Sequence, residues 1–437
     1  MSTEKATPLA TPTRSTPTVR SLHVLGVVCG LAAGAWLGGA EAPTKLVTIG
    51  LSPFMISLCM VSGVFVARWT LPVALKGTTY VFLDLRERAH LMVWAILAGA
   101  LWAVANTLTV FAIRDVGLSI AFPLWNTNSL VGIFWGWFLF RELRGDVWKT
   151  AAKVLGGAGA VVLGATLLGL ASAHQAGGAP HRLVAGILAA LGAGLMWGTM
   201  YIPYRKAYLS GMNPLSFVTV FTVGELVTTG LLAVVFLGGL RPVLQTLSAA
   251  RPVLFWLFLG GFCWVVGDLF QQYAAKYIGI GRGIPLSNTN QLWGLAWGAL
   301  VFGELASFGK AAQAQVIVGS LIMVVGAVAI SSAVAPEGER AALREVVAQE
   351  CARYGMNLEQ TASAQLGKDP LGAASGGRRW WDFLIVATAT GAFVWLARYA
   401  TRPPIAMAGA WIMVLAALML ALLAGCGWLL WKYTRFS

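Results

Sequence analysis

The sequence predicts an all-α polytopic membrane protein, with ten helices as two inverted five-helix repeats plus two extra C-terminal transmembrane helices. An apolar composition, recurring apolar runs and an internal repeat lead to this prediction. Hydrophobic residues make up 58% of the 437 residues, and charged residues make up only 11%. This composition leaves too little polar surface to coat a soluble globule of that size.

The apolar runs are long enough to cross a bilayer, whose hydrocarbon core of about 30 Å needs about 20 residues of helix. They are apolar on all faces, whereas the strands of a membrane β-barrel alternate apolar and polar positions over about ten residues. We therefore predict twelve spans, at residues 22–39, 51–67, 91–112, 117–140, 150–171, 183–203, 214–238, 252–275, 283–302, 313–332, 381–397 and 405–430.

An internal repeat is visible at a constant offset of 162 residues, for example from Asn126 to Asn288. Fourteen residues between Gly99 and Leu143 recur at this offset without a gap, which exceeds what shared apolar composition produces. The repeated unit contains five spans, an odd number, so the second unit must enter the membrane from the opposite side. We therefore predict an inverted pair, the arrangement that supports alternating access in transporters.

The repeat and the distribution of charge divide the chain into five predicted parts. The N-terminal part is rich in Thr, Pro and Ser, which is typical of a disordered tail. A charged stretch after the second repeat predicts a short soluble helix from Glu337 to Tyr354 within a flexible connector. The parts are a cytoplasmic tail at 1–20, the first repeat at 21–172, the second repeat at 173–332, a cytoplasmic linker at 333–379 and two additional spans at 380–437.

The net charge of +14 follows a loop pattern that is typical of membrane proteins. A cytoplasmic N-terminus places 23 of the 31 Lys and Arg residues on the cytoplasmic side and 8 outside, in line with the positive-inside rule. Both termini are therefore predicted to be cytoplasmic, in a bacterial inner (plasma) membrane, and no nucleic-acid partner is expected. Glu41-Ala42-Pro43 offers no small-residue cleavage site, which predicts an uncleaved first helix.

The sequence gives no sign of a metal site, a cofactor site or an enzyme. Its cysteines lack CxxC spacing, and its glycine-rich stretches lack the Lys-Ser that follows a P-loop. No Ser/His/Asp set or HExxH motif is present. The four histidines lie away from the centres of the spans, at His23, His90, His174 and His181.

Two polar triplets within predicted spans are the candidate substrate-binding residues. Each begins three residues after a proline, which frees a backbone carbonyl in the preceding turn. Polar groups inside a membrane are costly unless satisfied, and the amides and hydroxyls suit a neutral polyhydroxylated ligand. The alternative is that they only join neighbouring helices by hydrogen bonds. The triplets are Asn126-Thr127-Asn128 and Asn288-Thr289-Asn290.

Two repeat-related tryptophans, Trp102 and Trp264, are further candidates, because an indole face can stack on the apolar face of a sugar ring. Bulky core packing is the alternative interpretation of these aromatic side chains.

Two acids within spans, Glu225 and Asp268, are candidates for ion coupling, since intramembrane ionisable residues are usually functional. Burial disfavours a charged carboxylate, so either acid could load and release a proton. A fixed structural acid is the alternative. Asp268 is narrowly favoured because it lies in the repeated segment, where the first repeat has Asn106, close to the predicted sugar site.

The repeated segment resembles the glucose/ribose porter branch of the drug/metabolite transporter superfamily, which has ten helices in two inverted halves. This resemblance covers residues 22–332 and implies sugar uptake, commonly driven by protons. The chain departs from the family at Asp268, where such porters tend to have Gln, and by the extra residues 333–437. The second half carries the pattern at Gly261, Trp264, Gly267, Gln271, Gly279, Pro285, Gln291, Leu292, Gly294, Phe302, Gly303 and Glu304.

The leading hypothesis is a secondary transporter that moves a sugar or similar small polar metabolite inward, with protons as the candidate coupling ion and membrane lipid as its surroundings. A second hypothesis keeps the fold and changes the cargo to another small metabolite or a drug, including export. A third, from another class, is a membrane scaffold or sensor that acts through residues 333–379. The oligomeric state is left open.

Overall fold

The computed structural model describes residues 18–44, 46–47, 50–116, 121, 124–143, 148–173, 180–303, 305, 309–372, 376–401 and 405–437. Within these ranges the regular structure is entirely helical, and ten helices are long and apolar enough to cross a membrane. The predicted all-helical membrane fold is confirmed. Residues 1–17 of the predicted tail and the motif residues Pro123 and Glu304 lie outside the described residues.

The first repeat region contains seven described helices. The long helix α3 begins at Pro53 behind the N-cap Ser52, whose hydroxyl accepts a hydrogen bond from the Met55 N–H. Proline at the first helical position and serine at the cap both favour a helix start there. The helices are α1 Val19–Gly39, α2 Glu41–Thr44, α3 Pro53–Lys76, α4 Thr78–Glu87, α5 Leu91–Val116, α6 Asn128–Phe140 and α7 Trp148–Ala173.

The described residues of the second repeat region form seven helices and one π-helical turn. Its helix α9 begins at Pro214 behind the N-cap Asn213, so the start signal of α3 recurs at the equivalent place. The elements are α8 Pro180–Leu209, α9 Pro214–Phe236, α10 Leu240–Ala249, α11 Leu254–Ile278, α12 Ile280–Ser287, α13 Asn290–Ala296, the π-helical turn Trp297–Val301 and α14 Lys310–Ser331.

Four helices follow the second repeat region. The helix predicted from the charged stretch is present from Glu337 to Tyr354. The helices are α15 Glu337–Tyr354, α16 Leu358–Gln365, α17 Trp380–Tyr399 and α18 Gly409–Thr434.

Two of the twelve predicted spans, 117–140 and 283–302, are not continuous helices. Within the described residues, the first is interrupted by a turn at Asn126–Thr127 and the second by a turn at Asn288–Thr289. The prediction of unbroken helices was wrong here because apolar composition does not report a local break. Irregular backbone is tolerated at membrane depth where the surrounding protein buries it.

Two pairs of equivalent helices, the second and the fifth long helices of the repeats, lie side by side and run antiparallel. In the pair α3 and α9, the Phe54 ring stacks on the Phe236 ring at 4.6 Å, while Arg68 lies 2.9 Å from Glu225. Residue numbers therefore rise along one helix as they fall along the other. This is the relation that an inverted repeat requires, and the sides of the membrane stay a prediction.

The pair α7 and α14 crosses at glycines, in a close contact of two backbones. A Cβ atom at Gly157 would lie 2.7 Å from the Gly326 carbonyl oxygen, and one at Gly164 would lie 2.4 Å from that of Gly319. Only glycine permits such close backbone contact, as is common where membrane helices pack. Here too the equivalent helices are antiparallel.

The two repeats also interlock. The first long helix of each repeat packs on the third long helix of the other, α1 on α11 and α8 on α5. The broken segments α6 and α13 pack on α8 and α1, again in a matched exchange. The breaks at Asn126 and Asn288 are thereby brought to the centre of the bundle.

Residues 333–372 fold against one end of this bundle, which we call the linker end. Arg282 donates from both terminal nitrogens to the Glu339 carboxylate, at 2.7 and 2.8 Å, and its Nε donates to the Ala333 carbonyl. Gln365 Nε2 donates to the Leu209 carbonyl at 2.7 Å. The linker thus contacts the helix ends directly within the described residues.

Candidate functional site

Three of the six predicted triplet residues meet at the two helix breaks, together with Ser129. Asn288 Nδ2 lies 3.0 Å from Asn128 Oδ1, 2.5 Å from Ser129 Oγ and 3.5 Å from the Asn126 carbonyl oxygen. We call Asn126, Asn128, Ser129 and Asn288 the amide cluster. Each of these residues is 5% exposed or less. The cluster joins the two repeats across the centre of the bundle.

One polar group of the amide cluster has no hydrogen-bond partner among the described residues. Asn126 is 2% exposed, and its Nδ2 finds no acceptor among the described residues. A buried donor without an acceptor is costly, and such groups are rare in native proteins. An oxygen of a bound ligand would satisfy this donor.

The two threonines of the triplets have a local role. The Thr127 hydroxyl donates to the Leu124 carbonyl at 2.7 Å, and the Thr289 hydroxyl donates to the Leu286 carbonyl at 2.8 Å. Both hydroxyls therefore bond within their own turns, outside the amide cluster. Asn290, at the start of α13, is also outside the cluster, with its Oδ1 buried and unpaired within the described residues.

The predicted tryptophan pair is a direct contact. The rings of Trp102 and Trp264 lie 4.8 Å apart in an edge-to-face arrangement. Trp102 is fully buried, and its indole N–H has no acceptor among the described side chains and backbone groups. Because the two residues are equivalent in the repeats, their contact lies where the repeats meet.

The predicted acids Glu225 and Asp268 share one partner, Arg68. Arg68 Nη1 lies 2.9 Å from Glu225 Oε2, and Arg68 Nη2 lies 2.7 Å from Asp268 Oδ2. All three side chains are 0% exposed. We call these residues the charge cluster. The Arg68 guanidinium also lies 5.5 Å from the Trp264 ring, so the charge cluster adjoins the tryptophan pair.

Sequence reasoning missed Arg68. The predicted second span ends at residue 67 and leaves Arg68 in the loop that follows, but α3 continues to Lys76 and Arg68 lies inside it. The two acids compensate its charge, which allows the guanidinium to be buried. Two features of the sequence could have indicated a buried Arg68. Apolar residues lie on both sides of it, and the two acids within spans require a cation.

Further polar groups missed by the sequence surround Asp268. Gln272 Nε2 donates to Asp268 Oδ2 at 2.5 Å, and the Tyr204 hydroxyl lies 3.4 Å from Asp268 Oδ1. The Tyr208 hydroxyl in turn donates to Gln272 Oε1. Helix α8 therefore supplies tyrosines that hold the carboxylate of Asp268 in place.

The charge cluster has no counterpart in the described part of the first repeat. Asn106, the equivalent of Asp268, donates to the Ser57 hydroxyl at 2.8 Å, and the pair is buried. The amide cluster and the tryptophan pair join equivalent positions of the two repeats, whereas the charge cluster joins Arg68 of the first repeat to two acids of the second. Within the described ranges, no group of three His, Cys, Asp or Glu side chains is placed to hold a metal ion.

Paired broken helices with buried polar groups at their breaks are the architecture of membrane transporters. Residues 184–331 match the model of the EamA-like transporter family. This match lies in the second repeat region, about a third of the chain, and agrees with the resemblance to the drug/metabolite transporter superfamily found in the sequence.

Two bacterial proteins are similar to parts of this chain. A Listeria monocytogenes protein named "Putative sugar uptake protein lmo0169" is 25% identical over 258 residues, 58% of this chain and 84% of its own length. A Lactobacillus johnsonii "Putative sugar uptake protein" is 34% identical over 91 residues, 20% of this chain and 31% of its own length. One solved crystal structure, described only as that of a protein, aligns with a TM-score of 0.46 and 17% identity, over 72% of this chain and 98% of its own.

Proposed function

We propose that this protein is a secondary transporter that takes up a sugar or a similar small polar metabolite, coupled to protons. The observation that carries this proposal is the amide cluster, in which Asn126, Asn128 and Asn288 from both repeats meet at the helix breaks. The names of the two bacterial relatives support a sugar as the cargo.

The chemistry of the site fits a neutral hydroxylated ligand. Amides both donate and accept hydrogen bonds, as hydroxyl groups do, and Asn126 Nδ2 is a buried donor without an acceptor in the described structure. An uncharged amide site needs no counter-ion from the substrate. The edge-to-face pair of Trp102 and Trp264 offers aromatic surface next to the charge cluster.

The site is closed to solvent in this structure, since Asn126, Asn128 and Asn288 are at most 5% exposed. A substrate can reach it only if the two repeats move relative to each other. Interlocked, antiparallel repeats around a central site are the basis of alternating access. Within this proposal, Glu225 and Asp268 supply the proton-coupling site.

The alternatives stay open to experiment. Another polar cargo, or transport in the outward direction, would use the same amide cluster. A scaffold acting through residues 333–379 is less well supported, because Glu339, Glu345 and Glu350 of that segment form ion pairs within the chain.

The test is substrate binding and uptake by the purified protein in proteoliposomes, with a labelled panel of sugars, nucleosides and ureides. Asn126→Ala and Asn288→Ala should each weaken binding of the transported compound by about tenfold, which corresponds to about 1.4 kcal/mol. Asn106→Ala is the matched control, because it removes a buried amide that bonds Ser57, away from the helix breaks. Unchanged affinity in both site variants, with normal folding, would contradict the proposed site.

A panel result separates the cargo hypotheses from each other. Uptake of a sugar that outcompetes the other compounds supports the proposal. Preference for a nucleoside or a ureide, or efflux against a gradient, would reject sugar uptake and keep the transporter class.

A further inference from the structure

The charge cluster has an unequal charge count. It contains one guanidinium, Arg68, and two carboxyl groups, Glu225 and Asp268, all 0% exposed. With both carboxyl groups ionised, the cluster would carry one net negative charge away from water. An isolated buried charge is strongly unfavourable, so the cluster has a place for one additional positive charge.

The two carboxyl groups differ in their hydrogen bonds. Asp268 is held by Arg68 at 2.7 Å and by Gln272 at 2.5 Å, with the Tyr204 hydroxyl at 3.4 Å from its other oxygen. Glu225 has fewer and weaker partners: the Thr222 hydroxyl lies beside its carboxyl group without regular hydrogen-bond geometry, and its contact with Arg68 is an ion pair at 2.9 Å. Hydrogen bonds to a carboxylate favour its ionised form.

The groups around Glu225 provide no second cation within the described structure. Arg68 faces it from α3, Asp268 from α11 and Tyr204 from α8. Helix α5 contributes Gly99, where an added Cβ would lie 2.9 Å from the Glu225 backbone nitrogen. Thr222, one turn earlier on α9, is uncharged. Arg68 is therefore the one cation shared by both acids among the described groups that face Glu225.

We propose that Arg68 and Asp268 form a permanently ionised pair, and that Glu225 is the site that binds and releases a single proton. Loading adds one proton to a Glu225 oxygen and changes the charge of the cluster from minus one to zero. Release reverses this change, and no other bond forms or breaks. This inference rests on the proposed proton-coupled transport and moves the proton from Asp268, which the sequence narrowly favoured, to Glu225.

Protonation of Glu225 should also affect the contact between the two repeats, because Arg68 lies near Trp264. Arg68 lies over the Phe221 ring at 4.1 Å and near the Trp264 ring at 5.5 Å, while Trp264 contacts Trp102 of the other repeat. Once Glu225 is neutral, Arg68 is bound by Asp268 alone. Protonation of Glu225 therefore changes the electrostatic forces on Arg68, which packs against the pair of Trp102 and Trp264.

The first experiment detects the proton directly, by infrared difference spectroscopy of the purified full chain during an acid titration. The C=O band of a protonated carboxylic acid should appear in the wild type, be lost in Glu225→Gln and change its frequency in Glu225→Asp, whereas Asp268→Glu should leave its frequency unchanged. Glu345→Gln, which changes an exposed acid paired with Arg141, is the matched control and should keep the band. A band that survives Glu225→Gln, or that changes its frequency in Asp268→Glu and not in Glu225→Asp, would overturn the assignment.

The second experiment measures coupling in proteoliposomes. Glu225→Gln should keep substrate exchange and lose accumulation, so that the inside-to-outside concentration ratio falls to about one. Glu225→Asp keeps a titratable carboxyl group at this position and should restore accumulation relative to Glu225→Gln. A folded Glu225→Gln variant that still accumulates substrate against a gradient would overturn the inference.

The two proposals can fail separately. The infrared band requires no substrate, so a band at Glu225 without uptake of any panel compound would reject the proposed function alone. Uptake that is proton-driven without a Glu225 band would reject the inference alone.

Discussion

Glu142 of the first repeat and Arg205 of the second form an ion pair of 2.9 Å at the linker end, with both side chains 5% exposed or less. The same carboxylate accepts hydrogen bonds from the Gly281 N–H at 2.9 Å and the Ile280 N–H at 3.3 Å. One side chain therefore ties the end of α6 to α8 and to the first turn of α12, where the helix dipole favours an anion.

Glu142→Gln is expected to weaken closure at the linker end. The isosteric amide keeps the volume but leaves Arg205 without its anion, which should cost about 1–3 kcal/mol. The measurement is the thermal unfolding midpoint, together with the labelling rate of a cysteine introduced at Leu143. Arg141→Gln is the control, because its exposed pair with Glu345 should contribute less than about 1 kcal/mol. Equal shifts in both variants would contradict a special role for Glu142.

Arg282→Gln and Glu339→Gln should each release the linker from the bundle. Each leaves a buried, unpaired charge at a bidentate contact, with an expected loss of about 3–5 kcal/mol. Limited proteolysis within residues 337–372 measures this release. The double variant Arg282→Met with Glu339→Leu should lose much less, since no charge is left unpaired. The linker attachment would have to lie elsewhere if the single variants resisted proteolysis as the wild type does.

Acidification should loosen α15 through His90, whose ring stacks on Tyr354 at 4.0 Å. Burial lowers the pKa of His90 below its usual value, and the nearby Lys206 lowers it further. The neutral ring is therefore favoured in the fold, and the stabilisation is fully present above the unfolded pKa of about 6.5. It is lost as the pH falls from that value towards the lower folded pKa.

Hydrogen exchange of α15 at neutral and at mildly acidic pH checks this expectation. His90→Phe keeps an aromatic ring beside Tyr354 and should remove the pH dependence of protection. His23→Gln, which changes a histidine that bonds the Ser331 carbonyl, should leave that dependence in place. A pH dependence that survives His90→Phe would assign it to another group.

The orientation in the membrane can be checked with exposed cysteines at the two ends of the bundle. Residue Gln360 in α16 and residue Gln245 in α10 are both exposed, whereas four of the five native cysteines, Cys29, Cys59, Cys351 and Cys426, are buried and Cys263 is partly buried within α11. The charge distribution predicts that Gln360→Cys reacts only from the cytoplasm and Gln245→Cys only from outside. Because Arg68 lies inside α3, it no longer counts among the 23 basic residues predicted on the cytoplasmic side, which leaves 22 there against 8 outside. Labelling of both from the same side would reject the inverted arrangement.

Part of the candidate site follows from the sequence. A strict offset of 162 residues pointed to Asn126, Asn128 and Asn288, because polar side chains that recur inside apolar runs are costly in a membrane unless they have partners. The same offset could not distinguish the asparagines from Thr127 and Thr289, whose hydroxyls bond within their own turns. That distinction depends on side-chain direction at a helix break, which spacing does not encode.

The sequence by itself determined the membrane class, the duplicated unit and the helix from Glu337 to Tyr354, because apolar length, repetition and charge are local properties of a chain. The tertiary structure alone decided that Glu225 and Asp268 share Arg68, a residue from a third helix 157 and 200 positions away along the chain. It also decided that Asp268 is held by several hydrogen bonds while Glu225 is not. The physical reason is that ion pairing and hydrogen bonding depend on distances of about 3 Å between atoms on different helices, and those distances exist only after the helices have packed.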